Sequence, residues 1–101
     1  MKIDFTKELI NVEGDPIKNE KLEPWTLKFA AVEALYQSEP NLTGDEKFAR
    51  GELVAKVFKS EKEDVDFSIE ESSKIKELIG KMWQPIIVHA AWKELESQLK
   101  K

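Results

Sequence analysis

Apolar positions along the chain change their spacing once, near residue 25. Before that point they come in short groups: Ile3 and Phe5, then Leu9, Ile10 and Val12, then Ile17 beyond a Glu13-Gly14-Asp15-Pro16 turn signal. Gly supplies unusual turn angles and Pro fixes the exit, so the pattern predicts a short strand followed by a hairpin. From Trp25 the period becomes helical. Trp25, Phe29, Val32 and Tyr36 fall four, three and four apart, with Leu27, Ala31 and Leu35 widening the same face, which predicts a helix ending near Ser38. Pro40 and Asn41 break it. Thr43-Gly44-Asp45-Glu46 has the form of a capping box, opening a second helix from about Asp45 to Lys59 with Ala49, Leu53, Val57, Phe48, Val54 and Phe58 inward. Gly51 inside this helix costs about 1 kcal/mol relative to Ala, which predicts close packing there or a weakened centre.

Residues 60–66 form a charged connection, after which Val65 and Phe67 alternate with Asp66 and Ser68 as in one brief extended segment. Ser68-Ile69-Glu70-Glu71 is a second capping box, and Ile75, Leu78, Ile79, Met82 and Trp83 give the third helix a one-sided stripe. Gln84-Pro85 interrupts it, because proline disfavours helical angles in the residue before it and suits a first helical position. The fourth helix then runs from Pro85 to about Leu99 with Val88, Ala91, Trp92, Leu95 and Leu99 inward, and Lys100-Lys101 complements the negative end of its dipole. No internal repeat, low-complexity tract or long linker is evident. The expected fold class is α+β, mostly α: a short N-terminal β-hairpin packed on a bundle of three to four helices, in one domain spanning 1–101, with the hairpin in 1–20 and the bundle in 25–99.

Composition agrees with one ordered domain, since 41% hydrophobic residues with three Trp and five Phe in 101 positions supply a core. Charge narrows the partners. With 16 basic against 20 acidic residues the net charge is -4, and basic runs are interleaved with acids, as in Lys59, Glu61, Lys62, Glu63 and Asp64, so direct nucleic-acid binding is not expected. The absence of cysteine removes disulfides and thiolate metal sites. The first residues lack the apolar stretch of a secretion signal, and no apolar run reaches the ~18–20 residues of a membrane span. A cytoplasmic location without membrane attachment is the expectation.

Catalytic and cofactor chemistry find little support. His89 is the single histidine, in the apolar stretch Ile86-Ile87-Val88-His89-Ala90-Ala91-Trp92, and one imidazole without Cys makes no tetrahedral zinc site. Asp64, Asp66, Ser68 and Glu70 alternate as in a calcium loop, but Ile69 stands where its Gly is needed and Ile75 where its bidentate Glu is needed. The four glycines, at 14, 44, 51 and 80, form no phosphate-binding loop. Neither an enzyme nor a bound cofactor or metal is expected.

Trp25, Trp83 and Trp92 fit the core by their helical spacing, but three tryptophans in so short a chain also suggest that one of them anchors a contact surface, because Trp is enriched at binding interfaces. Pro85 restarts the helix, so Trp83, Ile86 and Ile87 are not expected to point into one core. Trp83, Pro85, Ile86, Ile87 and His89 are therefore the candidate protein interface, and Ile86, Ile87 and Ala90, off the Val88 stripe, also suit a homo-oligomer.

The order of a Gly-Asp-Pro-Ile turn, a helix, a Gly-Asp-Glu-Lys-Phe-Ala-Arg-Gly-Glu-Leu helix and a closing Ile-Lys-Glu-Leu-Ile-Gly-Lys-Met-Trp-Gln-Pro-Ile-Ile-Val run resembles a group of small phage and prophage proteins without assigned function. The resemblance is strongest over residues 9–17, 44–58 and 75–92. It implies a bacterial virus or prophage origin and brings no catalytic residues. The expected function is binding of a phage or host protein, as an assembly factor or as an inhibitor of a host system. The alternatives are a small-ligand or nucleotide-binding oligomer and, third, an acidic DNA mimic, which the interspersed lysines oppose.

Overall fold

The computed structural model describes residues 2–37 and 39–99. Four helices follow one another: α1 (Leu27–Tyr36), α2 (Gly44–Lys59), α3 (Ile69–Met82) and α4 (Pro85–Leu99). Their starts are dictated locally. Thr26, Thr43 and Ser68 each accept a hydrogen bond from a backbone amide three residues on, and Glu71 reaches back to the Ser68 amide at 2.8 Å to complete the box. The expected end of α1 near Ser38 lies outside the described residues, as does the Lys100-Lys101 tail; α1 itself stops at Tyr36.

Helix α1 is the central element. Leu27, Ala30, Ala31, Val32, Ala34 and Leu35 are all buried, and it packs against α2, α3 and α4. Its alanines let neighbours approach closely, while Phe29 and Tyr36, expected on the inner face with Val32, are exposed along with Glu33. Trp83 at the end of α3 donates Nε1–H to the Ala30 carbonyl at 3.0 Å, and Trp92 of α4 donates to the Lys76 carbonyl at 3.0 Å, so both rings pack with their polar atom satisfied. Close approach occurs at Gly80, where a Cβ would stand 2.7 Å from the Trp92 ring, and not at Gly51, where a Cβ would meet nothing within 4 Å. On α2 the buried positions are Arg50, Leu53, Val54 and Val57, while Phe48, Ala49 and Phe58, expected inward, are exposed. The Phe58 ring carries the Lys28 ammonium 4.3 Å from its centroid.

The expected N-terminal β-hairpin is absent: among the described residues there is no strand and no sheet. Three isolated antiparallel bridges, Glu8 to Thr26, Ile10 to Pro16 and Lys18 to Pro24, stand in its place. The backbone hydrogen bonds explain why no ladder grows. Ile17 N–H donates to Leu9 O at 2.9 Å, Trp25 N–H to Ile17 O at 2.8 Å and Leu9 N–H to Trp25 O at 2.7 Å, a closed ring that leaves none of the three amides for a neighbouring strand. Pro16 and Pro24 have no amide to extend a bridge outward. Val65 and Phe67 likewise form no strand; Phe67 is buried, its ring tilted against Phe5 with centroids 5.4 Å apart.

That ring exposes an internal repeat which hydrophobic spacing alone does not reveal. Leu9, Ile17 and Trp25 stand eight positions apart, and the segments between them share one frame: Asn11 with Asn19, Asp15 with Glu23, and Pro16 with Pro24. Each Asn carboxamide oxygen accepts two amides, those of Glu13 and Asp15 at 2.9 and 3.0 Å and those of Lys21 and Glu23 at 2.9 and 3.0 Å. Two similar turns thus wrap beside the bundle. The wrap is tied to it at Lys7 and Phe5, whose carbonyls accept the Leu27 and Lys28 amides, and at Asp4, whose backbone pairs in both directions with the Gln98 side chain.

Candidate binding cleft

The second turn and the α3–α4 junction enclose an open cleft of about 620 Å³, lined by Ile17, Lys18, Asn19, Glu20, Lys21, Glu23, Trp25, Gln84, Ile86 and Ile87. The eight-residue frame fixes one wall. Asn19 holds the turn, so residues 18–23 follow a set path, and the ring of backbone bonds places Ile17 and Trp25 side by side at its base. Proline sets the other wall: Trp83 ends α3, Gln84 accepts the Ile87 and Val88 amides at 3.0 Å each, and Pro85 begins α4.

Aromatic rings stiffen the base. Trp25 meets Trp83 edge-on with centroids 4.8 Å apart and Phe29 edge-on at 4.9 Å, arrangements worth about 0.5–1.5 kcal/mol each beyond their area. Phe29 is 43% exposed, so apolar surface continues from Trp25 out of the cleft. The rim carries Lys18 and Lys21 against Glu20 and Glu23, balanced in sign.

The five residues picked out from sequence separate. Ile86 is 51% exposed and Ile87 1%; both line the cleft, but Ile87 is its buried floor and belongs to the core. The three residues of the junction do not all enter one core, as expected, but only Ile86 stays on the surface, and Ile87, expected there with it, is core. One turn of sequence explains this, since adjacent helical positions point about 100° apart and Ile87, Ala90, Ala91 and Leu95 form the inward stripe. Trp83 is half-buried behind Trp25. Pro85 and His89 are exposed and lie outside the lining.

The residues that sequence reasoning missed are those of the turn, chiefly Lys18 and Lys21 in the lining and Leu22 just outside it, whereas Trp25 was assigned to the first helix and the core. Leu22 is the notable one: it is 76% exposed and holds φ at 62°, where the equivalent Gly14 holds 92°. Left-handed angles cost an ordinary side chain about 1–2 kcal/mol. Their only sequence signal was the recurring Asn, acid, Pro and apolar residue.

Among the described residues no group of three His, Cys, Asp or Glu side chains could hold a metal ion; of the acids of residues 64–71, Glu70 and Glu71 sit in the first turn of α3 and Asp64 pairs with Lys2 at 3.0 Å. At Glu71 burial raises the pKa, but the Lys56 ammonium at 2.7 Å and the Ser68 amide outweigh it and hold the carboxyl below its ordinary value. No helix is long and apolar enough to cross a membrane. In comparisons with known proteins, no family model, no curated protein and no solved structure matches the chain.

Proposed function

We propose that this chain acts without catalysis, by binding another protein through the cleft between the 18–23 turn and the start of α4. The observation that carries the reading is uncovered apolar surface at and next to the cleft: Ile86 in its lining, 51% exposed, and Leu22, strained and 76% exposed, on the same turn but outside the lining. An apolar centre within a charged, sign-balanced rim is the usual anatomy of a protein interface, and strain kept at an exposed position suggests a use for the side chain. The pattern resemblance to small phage and prophage proteins supports a role in particle assembly or in blocking a host system. A second copy of the chain is one such protein partner.

A second reading has one observation in its favour. A volume of about 620 Å³ falls within the ~300–1,000 Å³ range of small-molecule sites, so a small ligand is the alternative occupant. The acidic mimic of DNA is weakened by pairing, because Glu61, Glu71 and Glu96 each lie within 3.1 Å of a lysine.

The test is a photo-crosslinking amino acid placed at position 21, on the rim, in the producing cell. Capture of a discrete protein, lost on Ile86→Glu without a fall in melting temperature, is the expected result. Capture that survives Ile86→Glu would remove the cleft from the binding surface.

A further inference from the structure

A second recess lies at the C-terminal end of α1, away from the cleft that Trp25 lines before its start, between that end and α2, and its lining contains a buried cation. Arg50 is 6% exposed. A guanidinium withdrawn from water normally has its donors filled by short, charge-assisted bonds of about 2.7–2.9 Å. Here Nη1 donates to the Gln37 carbonyl at 3.3 Å and Nη2 to the Glu39 carboxylate at 3.3 Å. Both are long, and the buried Nε has no hydrogen-bond partner among the described residues. The internal pairing of this cation is incomplete.

Arg50 borders a recess of about 300 Å³ together with Leu35, Leu42, Lys47 and Gly51. Lys47 stands one turn before Arg50 and adds a second positive charge with no salt bridge among the described residues. Leu35 and Leu42 supply apolar wall. Gly51 leaves the wall open, since a Cβ there would meet nothing within 4 Å. A buried fork of donors, an outer ammonium and an apolar wall suit a carboxylate attached to an apolar group, because Arg binds planar carboxylates in two-point fashion.

We infer that this recess binds a carboxylate-bearing apolar ligand, such as an aliphatic acid or the C-terminal residue of a peptide. Its carboxylate takes over the long Glu39 contact at Arg50 and lies beside Lys47. The site is separate from the cleft at α4, and the proposal does not depend on that reading.

The experiment is an NMR titration of the whole chain with N-acetyl-leucine, N-acetyl-leucinamide and inorganic phosphate in parallel. N-acetyl-leucine should shift the Arg50 Nε–H and the Lys47 and Gly51 amides saturably in the millimolar range, and the amide should not. Glu39→Gln should strengthen binding by removing the competing carboxylate. Gly51→Leu should weaken it about tenfold or more while melting no lower than the parent, since it fills open space and improves the helix. The inference is overturned if the acid gives no saturable shift, if acid and amide act alike, if phosphate alone binds, or if a folded Gly51→Leu variant binds as before.

Discussion

The two turns of the N-terminal wrap are built alike and differ where it matters. Both fold around an Asn carboxamide, close on a backbone bridge and leave through an acid and a proline. At the one position that requires left-handed angles the first turn has Gly14 and the second has Leu22. Glycine takes such angles freely and leucine does not. The first turn is thus relaxed, whereas the second retains strain at an exposed apolar side chain, on the turn that walls the cleft but outside its lining. Burial differs too: Leu9, at the first corner of the ring, is 0% exposed, while Ile17 at the second is half-buried and lines the cleft.

The largest expected difference lies at those corners. Leu9→Ala should cost about 2–5 kcal/mol as a core truncation, and Ile17→Ala about 1 kcal/mol because its side chain is only partly removed from water. Urea denaturation of both variants measures this. Equal losses would mean that the second corner is as much core as the first.

Next come the asparagines. Asn11→Ala and Asn19→Ala each release two backbone amides, and each should cost about 1–2 kcal/mol. A near match between the two supports a structural repeat. A loss confined to Asn11 would show that the second turn is held by something other than its carboxamide.

Exchange at the left-handed position should change sign between turns. Gly14→Leu should destabilise by about 1–2 kcal/mol, while Leu22→Asn, which tolerates those angles and remains exposed, should stabilise by about 0.5–1 kcal/mol. A destabilised Leu22→Asn variant would mean that Leu22 is held by packing and not merely strained.

Acid should leave this difference intact. Hydrogen bonds from the Thr6 side chain and amide depress the Asp4 carboxyl, and Glu71 is depressed by Lys56 and Ser68 against the opposing effect of burial. A depressed carboxylate contributes stability that is fully present above its unfolded value, here near 3.8 and 4.5, and that fades as pH falls through the lower folded value. Both groups lie outside the two turns. The whole series should therefore weaken together below about pH 4.5, with the gap between Gly14→Leu and Leu22→Asn unchanged.

Helices were legible in the sequence because their signals are local. Thr43, Ser68 and Pro85 mark starts that any reader of caps can find, and the stripe Ile75, Leu78, Ile79 has one reading. Helix α2 was harder, since Phe48 and Phe58 fit a helical face as well as Leu53 and Val57 do. The face is decided by α1, whose end presents the Gln37 carbonyl to Arg50. The wrap was misread because Gly14 and Pro16 alone suggest a hairpin. Its closure depends on Trp25, sixteen residues beyond Leu9 and assigned by spacing to the first helix, and Leu22 in place of a second glycine hides the repeat. Of the candidate surface, Ile86 was legible from helix geometry. The facing wall was not, because it depends on that same long-range closure.

The central claim, that the strain at Leu22 is retained for contact at the cleft, is tested most directly by paired measurements on Leu22→Asn: melting temperature, and partner capture by the crosslinker at position 21. The account predicts a higher melting temperature together with lost or strongly reduced capture. A variant that melts higher and captures its partner as well as the parent chain does would contradict it.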